Sequence, residues 1–223
     1  MKADSTIVVI GGSSGIGLAV ARRSLDDGAT VVIAGRSQRR LDAARADLGQ
    51  TGPPAGRLSA HPVDIGDPAQ VARLFERVGT LSHLVVTAAD LPYGPVVSLS
   101  EDSMVRAVRS KILGPLFAAQ QAAPRITKPG SITFTSGVAA SRPAPVGTLA
   151  ATVNGALESM VLALALELAP IRVNAVPPVG WIPPCGTSWP RLMSRTPGWP
   201  IWPPACPRAA SAAPRTSRTR SPS

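Results

Sequence analysis

The chain has 223 residues and a formal net charge of +10, long enough for one α/β domain with a sizeable core. Its two cysteines, Cys185 and Cys206, lack metal-ligand spacing and a nearby histidine, which argues against a zinc site and a disulfide framework. Six arginines and no acid fall between residues 181 and 223, so the remainder is near +4, and no basic stripe interleaved with aromatics marks a nucleic-acid partner.

No apolar run is read as reaching the ~20 residues that span a bilayer, and no secretory signal opens the chain. The expectation is a cytoplasmic protein with no membrane partner. The pattern then predicts a buried strand at 7–10, a run of β-branched residues that stops at Gly11-Gly12. A helical stripe of Ile16, Val20 and Leu25 begins at once. Strand, tight turn and helix N-terminus therefore share the stretch Gly11-Gly12-Ser13-Ser14-Gly15-Ile16-Gly17. The N–H groups and positive dipole end of such a helix favour an anion, and glycine lets a phosphate approach the backbone. The spacing is G-x-x-x-G-x-G rather than the commoner G-x-G-x-x-G. A strand-to-helix turn that merely needs positive φ would use the same residues. Its place at the first strand of a repeating strand–helix pattern favours a dinucleotide cradle of Gly11, Ser13, Ser14, Gly15, Ile16 and Gly17.

The first helix runs to Asp27, with Gly28 as a left-handed cap. A second strand at 30–34 ends at Gly35-Arg36-Ser37, and Ser37 is placed to cap a helix carrying Leu41, Ala44 and Leu48. At this strand end an acid would hold ribose hydroxyls, whereas an arginine would pair with a 2′-phosphate. Between Asp27 and Asp42 there is no acid, but Arg36, Arg39 and Arg40 are present, so NADP is favoured over NAD. The alternative is that these arginines are a solvated helix start. A third strand at 57–63 ends at Asp64-Ile65, where Asp64 is placed to face an adenine. Asp67-Pro68 then opens a helix buried along Val71, Leu74, Phe75 and Val78.

A fourth strand at 81–87 closes in Thr87-Ala88-Ala89-Asp90, and the small Ala88 and Ala89 leave room for a flat ring. Tyr93, the chain's one tyrosine, follows in a proline loop with no charge beside it to make it a proton donor. Ser98 and Glu101 read as a capping box. The helix that follows runs through Met104, Val105, Val108, Ile112, Leu116 and Ala119, with Lys111 inside it and a kink expected at Gly114-Pro115. A fifth strand at 131–135 carries Ser136-Gly137 at its end. The helix at 148–168 is apolar round most of its circumference, which places it in the core or against a partner subunit. A sixth strand occupies 171–176.

Strands alternating with helices in this way predict an α/β fold, a doubly wound parallel sheet of Rossmann type with about six strands and an irregular C-terminal tail. Ligands of such sheets sit at the carboxyl ends of the strands, where Gly11 to Gly17, Arg36, Asp64, Ala88, Ala89 and Ser136 all fall.

Over roughly residues 5–180, the chain resembles the short-chain dehydrogenase/reductase family. The carriers are Gly-Gly-Ser-Ser-Gly-Ile-Gly at 11–17, Val63-Asp64, Leu84-Val85, Phe134-Thr135-Ser136 and Ile171-Arg172-Val173-Asn174. The resemblance implies an NAD(P)-dependent oxidoreductase acting on a small alcohol or ketone, a homodimer or homotetramer built through two long helices. It also implies a tyrosine as general acid/base, a lysine four residues on, a serine that polarises the carbonyl and an asparagine in a water relay. Matched residue by residue, the tyrosine falls at Ala150, the lysine at Asn154 and the asparagine at Lys111. The serine falls at Gly137 or, with a one-residue slip, at Ser136. Ser136 and Lys111 are the catalytic candidates that remain, Lys111 as a proton donor or, alternatively, as a cation paired with an acid or covering the helix surface. A positioned proton donor is typically worth ~10²–10⁴ in rate, which an alanine does not supply. The chain therefore also admits a nucleotide-binding protein without turnover, acting as a sensor or scaffold.

All four tryptophans and ten of the 24 prolines lie between residues 181 and 223. This Pro/Arg-rich segment shows no periodicity and is expected to be a disordered tail, distinct from the domain at 1–180. Its composition also fits an out-of-frame GC-rich gene, which would make the protein a frameshifted remnant.

Overall fold

The computed structural model describes residues 5–50 and 56–178. The tail expected at 181–223 lies outside the described residues. Six strands, β1 (Thr6–Ile10), β2 (Thr30–Gly35), β3 (Leu58–Pro62), β4 (Leu81–Val86), β5 (Ile126–Thr135) and β6 (Arg172–Val176), form one sheet in the order β3-β2-β1-β4-β5-β6. All neighbours are parallel, with Val8 opposite Val32 on one side and Leu84 on the other. The helices are α1 (Gly15–Asp26), α2 (Gln38–Gly49), α3 (Pro68–Val78), α4 (Glu101–Val108), α5 (Gly114–Ala122) and α6 (Thr148–Glu167). From β1 the chain steps outward to β2 and β3, then crosses back to β4, so the order reverses at the end of β1. That reversal opens a crevice between the loops that leave β1 and β4.

Alternation along β1 feeds two cores. Val8 and Ile10 pack with Phe75 of α3, Ala118 of α5, Phe134 of β5 and Leu157 of α6. Ile7 and Val9 pack with Ala21 and Leu25 of α1 and with Leu41 and Leu48 of α2. A strand covered on both faces must be apolar at every position, which is why β1 reads as an unbroken hydrophobic run. Each fully buried Ile, Leu or Phe contributes about 1.5–3 kcal/mol by leaving water.

The helix starts follow local chemistry. Ser37 accepts a hydrogen bond from the Arg40 N–H. The Asp67 carboxylate, just ahead of Pro68, accepts from the Gln70 N–H, the Gln70 side-chain amide and the Ala69 N–H, and these bonds hold its carboxyl below the usual aspartate range. Gly28 takes φ +87° just past α1.

Three expectations are corrected. The cap of α4 is Ser100, which accepts from the Ser103 N–H; Ser98 belongs to a short 3₁₀ turn and donates to the Pro95 carbonyl. The buried face of the following helix is Ala107, Lys111, Ala118, Ala119 and Ala122, while Met104, Val105, Val108 and Leu116 face outward. Small side chains win the inner face where the helix packs tightly on its neighbours: a β-carbon on Gly114 would stand 2.9 Å from Ile65 Cγ1 in the loop after β3. Finally, α6 is long and apolar enough to cross a membrane by length and composition, although it packs into the core with the sheet through Leu157 and Val161.

Candidate functional site

The turn after β1 is shaped by backbone proximity. Gly11 and Gly12 both donate to the Ala34 carbonyl of β2, at 2.7 and 3.3 Å. Gly11 takes φ +96°, and a β-carbon there would lie 2.6 Å from the Ala88 nitrogen. A β-carbon on Gly17 would overlap the Gly11 carbonyl. Gly15 differs: it takes φ +52° with nothing within 4 Å of its β-carbon position, so the space above it is open. Ser14 caps α1 with extended backbone and no side-chain hydrogen bond, and no acid stands in the first turn. The start of α1 thus has a positive dipole end, no capping side chain, no built-in anion and open space beside Gly15. That arrangement fits a pyrophosphate.

Thr87 is a residue the sequence reading did not single out. Its backbone N–H donates to the Ile10 carbonyl at 2.8 Å, and its hydroxyl donates to the Gly11 carbonyl at 3.2 Å. It straps the end of β4 onto the glycine turn and brings Ala88 beside it. A lone threonine at a strand end carries no sequence signal for such a strap.

Outward from the turn, Arg36 and Asp64 line a cleft of about 330 Å³ together with Asp90, Arg106, Arg109 and Ser110. Asp64 is exposed, accepts from the Gly66 N–H at 2.9 Å and has its own N–H bound by Gln70. Arg36 is paired with Asp90. Tyr93 stands in a separate loop, 56 % exposed, with the adjacent Gly94 N–H bonded to the Val146 carbonyl.

The second region is the end of β5. Between α4 and α5 the helix widens into a π-helical turn, Arg109–Leu113. Pro115 has no N–H to return to residue 111, so the irregularity falls one turn ahead of the expected Gly114-Pro115 kink. Lys111, in this turn, is only 3 % exposed. Its ammonium donates to the Thr135 carbonyl at 2.5 Å and to the Ser136 carbonyl at 3.4 Å. Burial lowers its pKa from 10.5 to about 8. Lys111 therefore neither covers the helix surface nor pairs with an acid in any ion pair seen among the described residues.

Ser136 is buried, and its hydroxyl donates to Glu158 Oε1 of α6 at 2.8 Å. Gly137 faces Asn154, with a β-carbon position 2.7 Å from Asn154 Nδ2. Asn154 is itself buried, and its Oδ1 finds no hydrogen-bond partner. Ala150, one turn earlier on α6, is fully buried. The structure thus brings Lys111, Ser136, Gly137 and Asn154 to one strand end, with an amine, an amide and no phenol.

The parallel sheet with helices on both faces defines a Rossmann-type α/β protein. A family model described as enoyl-(acyl carrier protein) reductase matches residues 10–187. The chain is 38 % identical over 187 residues to the short-chain dehydrogenase/reductase ATR9 of Stachybotrys chlorohalonatus, covering 78 % of this chain and 72 % of that protein. It is 31 % identical over 176 residues to the cyclic-di-GMP-binding biofilm dispersal mediator protein of Escherichia coli, covering 78 % and 71 %. A short-chain type dehydrogenase/reductase from Mycobacterium ulcerans superposes with a TM-score of 0.75 at 28 % identity, covering 80 % of this chain and 68 % of that one. The chain belongs to the short-chain dehydrogenase/reductase family, an oxidoreductase family that binds NAD(P), acts on small molecules and commonly oligomerises.

Proposed function

We propose that the unit at residues 1–180 binds NADP across the end of β1 and transfers hydride between it and the carbonyl or alcohol carbon of a small molecule. The open space above Gly15, at a start of α1 that no side chain caps by a hydrogen bond, is the observation that carries this reading. The amides of Ser14 to Gly17 would hold the pyrophosphate, with Ser13 beside them and Gly11 giving the close approach. Arg36 would take the 2′-phosphate, Asp64 the adenine, and Ala88 and Ala89 would border the rings. When bound, the nicotinamide supplies or accepts the hydride.

The chain's own contribution at the reacting end is electrostatic. Lys111 places a buried cation behind the Thr135 and Ser136 carbonyls, where a positive charge favours the alkoxide that forms as hydride reaches a carbonyl carbon. Ser136 acts by fixing the end of β5 onto α6 through Glu158. Fluorescence titration with NADPH, followed by turnover assays on ketones and quinones, tests the reading. NADPH binding with oxidation supports it, and no binding to folded protein overturns it.

A second reading, nucleotide binding without turnover, is favoured by the buried alanine at position 150, where the family keeps its acid. Binding with no oxidation across the panel selects it. The Escherichia coli relative whose name records a cyclic dinucleotide ligand makes that ligand class worth including in the titration.

A further inference from the structure

Arg36 Nη1 at the end of β2 lies 3.0 Å from Asp90 Oδ2 beyond the end of β4, with side-chain exposures of 60 % and 31 %. Since β2 and β4 are the two neighbours of β1, the pair reaches across the crevice whose floor is the glycine turn. Asp90 is fixed in place: its N–H donates to Ser110 Oγ at 2.9 Å, and the same hydroxyl donates to its carbonyl at 3.3 Å. The π-helical turn that buries Lys111 therefore also sets where the Asp90 carboxylate stands. The arginine best placed to receive a phosphate already holds an anion that belongs to the chain.

We propose that Asp90 sets the nucleotide preference of this cleft by competing with the 2′-phosphate for Arg36. The inference rests on the reading that a nicotinamide nucleotide docks at the glycine turn. A 2′-phosphate must draw the guanidinium from Asp90 and then sit near that carboxylate, a like charge. A nucleotide with a free 2′-hydroxyl makes neither demand. Asp90 thus narrows the margin by which Arg36 favours NADP. An exposed pair of this kind, together with the repulsion, corresponds to about three- to tenfold in affinity.

The test is fluorescence titration of the full chain with NADPH and with NADH, using Asp90→Asn, Arg36→Ala and the double variant, each checked by its melting curve. Asp90→Asn is expected to tighten NADPH about three- to tenfold and to leave NADH nearly unchanged. Within the Arg36→Ala background the gain should shrink. Unchanged or weaker NADPH binding in Asp90→Asn overturns the competition, as does an equal gain with and without Arg36. If Arg36→Ala weakens NADPH while Asp90→Asn does nothing, the nucleotide reading stands and the competition alone falls. Failure of wild-type protein to bind either nucleotide removes both.

Discussion

The side-chain amide of Asn154 occupies the space beside Gly137 that a serine side chain would need, its Nδ2 2.7 Å from the glycine's β-carbon position. The resemblance places the family's lysine at Asn154 and its serine at Gly137 or, with a one-residue slip, at Ser136; on the Gly137 alignment those two places hold a glycine and an amide that fit each other. Gly137 has an extended backbone, φ −177°, so a side chain there meets no conformational strain, only the Asn154 amide. Gly137→Ser alone is expected to cost about 1–3 kcal/mol, the range for overpacking, read as a lowered Tm. The triple change Gly137→Ser, Ala150→Tyr and Asn154→Lys supplies a serine, a phenol and its neighbouring cation together. It should raise NADPH-dependent ketone reduction by at least ~10², the lower value of a positioned proton donor.

Lys111 makes stability pH-dependent in a stated direction. Its folded pKa of about 8 lies below the unfolded value of 10.5. Below about 8 both states hold the proton, and the folded state bears the burial cost in full. Between about 8 and 10.5 the unfolded state binds more protons, so stability rises with pH. The gain from this residue is on the order of 3 kcal/mol, and the neutral amine keeps N–H donors for both carbonyls. Urea unfolding at pH 7 and pH 10 should show the rise, and Lys111→Met should remove it.

Much of this architecture was legible in the residues themselves. Five strand–helix units and a sixth strand, the Asp67-Pro68 start and the glycine turn each follow from short-range chemistry and appear in the expected order, with β5 beginning at Ile126, earlier than the expected 131. The face of the helix around Lys111 was not legible, because Met104, Val105 and Val108 look like a core stripe while tight packing on neighbouring elements selects alanine instead. The Arg36–Asp90 pair was equally hidden. It joins residues 54 apart, and only the sheet order brings the ends of β2 and β4 together. Arg36 alone suggested a phosphate partner; the anion already beside it had no local signature.

Ser136 ties the end of β5 to α6 through Glu158. Its hydroxyl donates to a carboxylate at 2.8 Å in a partly buried setting, where charge-assisted bonds contribute about 1.5–3 kcal/mol. Ser136→Ala should lower stability by about that amount, and Glu158→Gln by less. Nucleotide affinity should be unchanged in both, measured by titration beside the melting curves.

Several apolar side chains are exposed among the described residues, and the family commonly oligomerises. Leu162 and Leu166 on α6 are 71 % and 85 % exposed, and Met104, Val105 and Val108 lie outward on α4. Burying one leucine contributes about 1.5–3 kcal/mol, so covering several would stabilise an assembly. Sedimentation should show a dimer or larger species. Leu162→Glu with Leu166→Glu should shift it to monomer with the melting temperature of the dissociated wild type.

Gly15 and Gly17 stand two residues apart, yet the same substitution should unfold the turn at one and leave the fold intact at the other. Gly17→Ala places its methyl against the Gly11 carbonyl and Thr87 Oγ1, the latter at 2.6 Å. Backbone there has no room to retreat, because Thr87 is itself bonded to that carbonyl. The variant should lose several kcal/mol, the scale of a large steric conflict, and nucleotide binding should go with the turn. Gly15→Ala meets no atom within 4 Å, and its cost is the positive φ of +52° alone, about 1–2 kcal/mol. That variant should fold. Its methyl projects into the space proposed for the pyrophosphate, so NADPH affinity should fall at least tenfold, by about 1.4 kcal/mol, while the circular dichroism spectrum stays that of the wild type. Tight binding by Gly15→Ala would place the phosphates elsewhere.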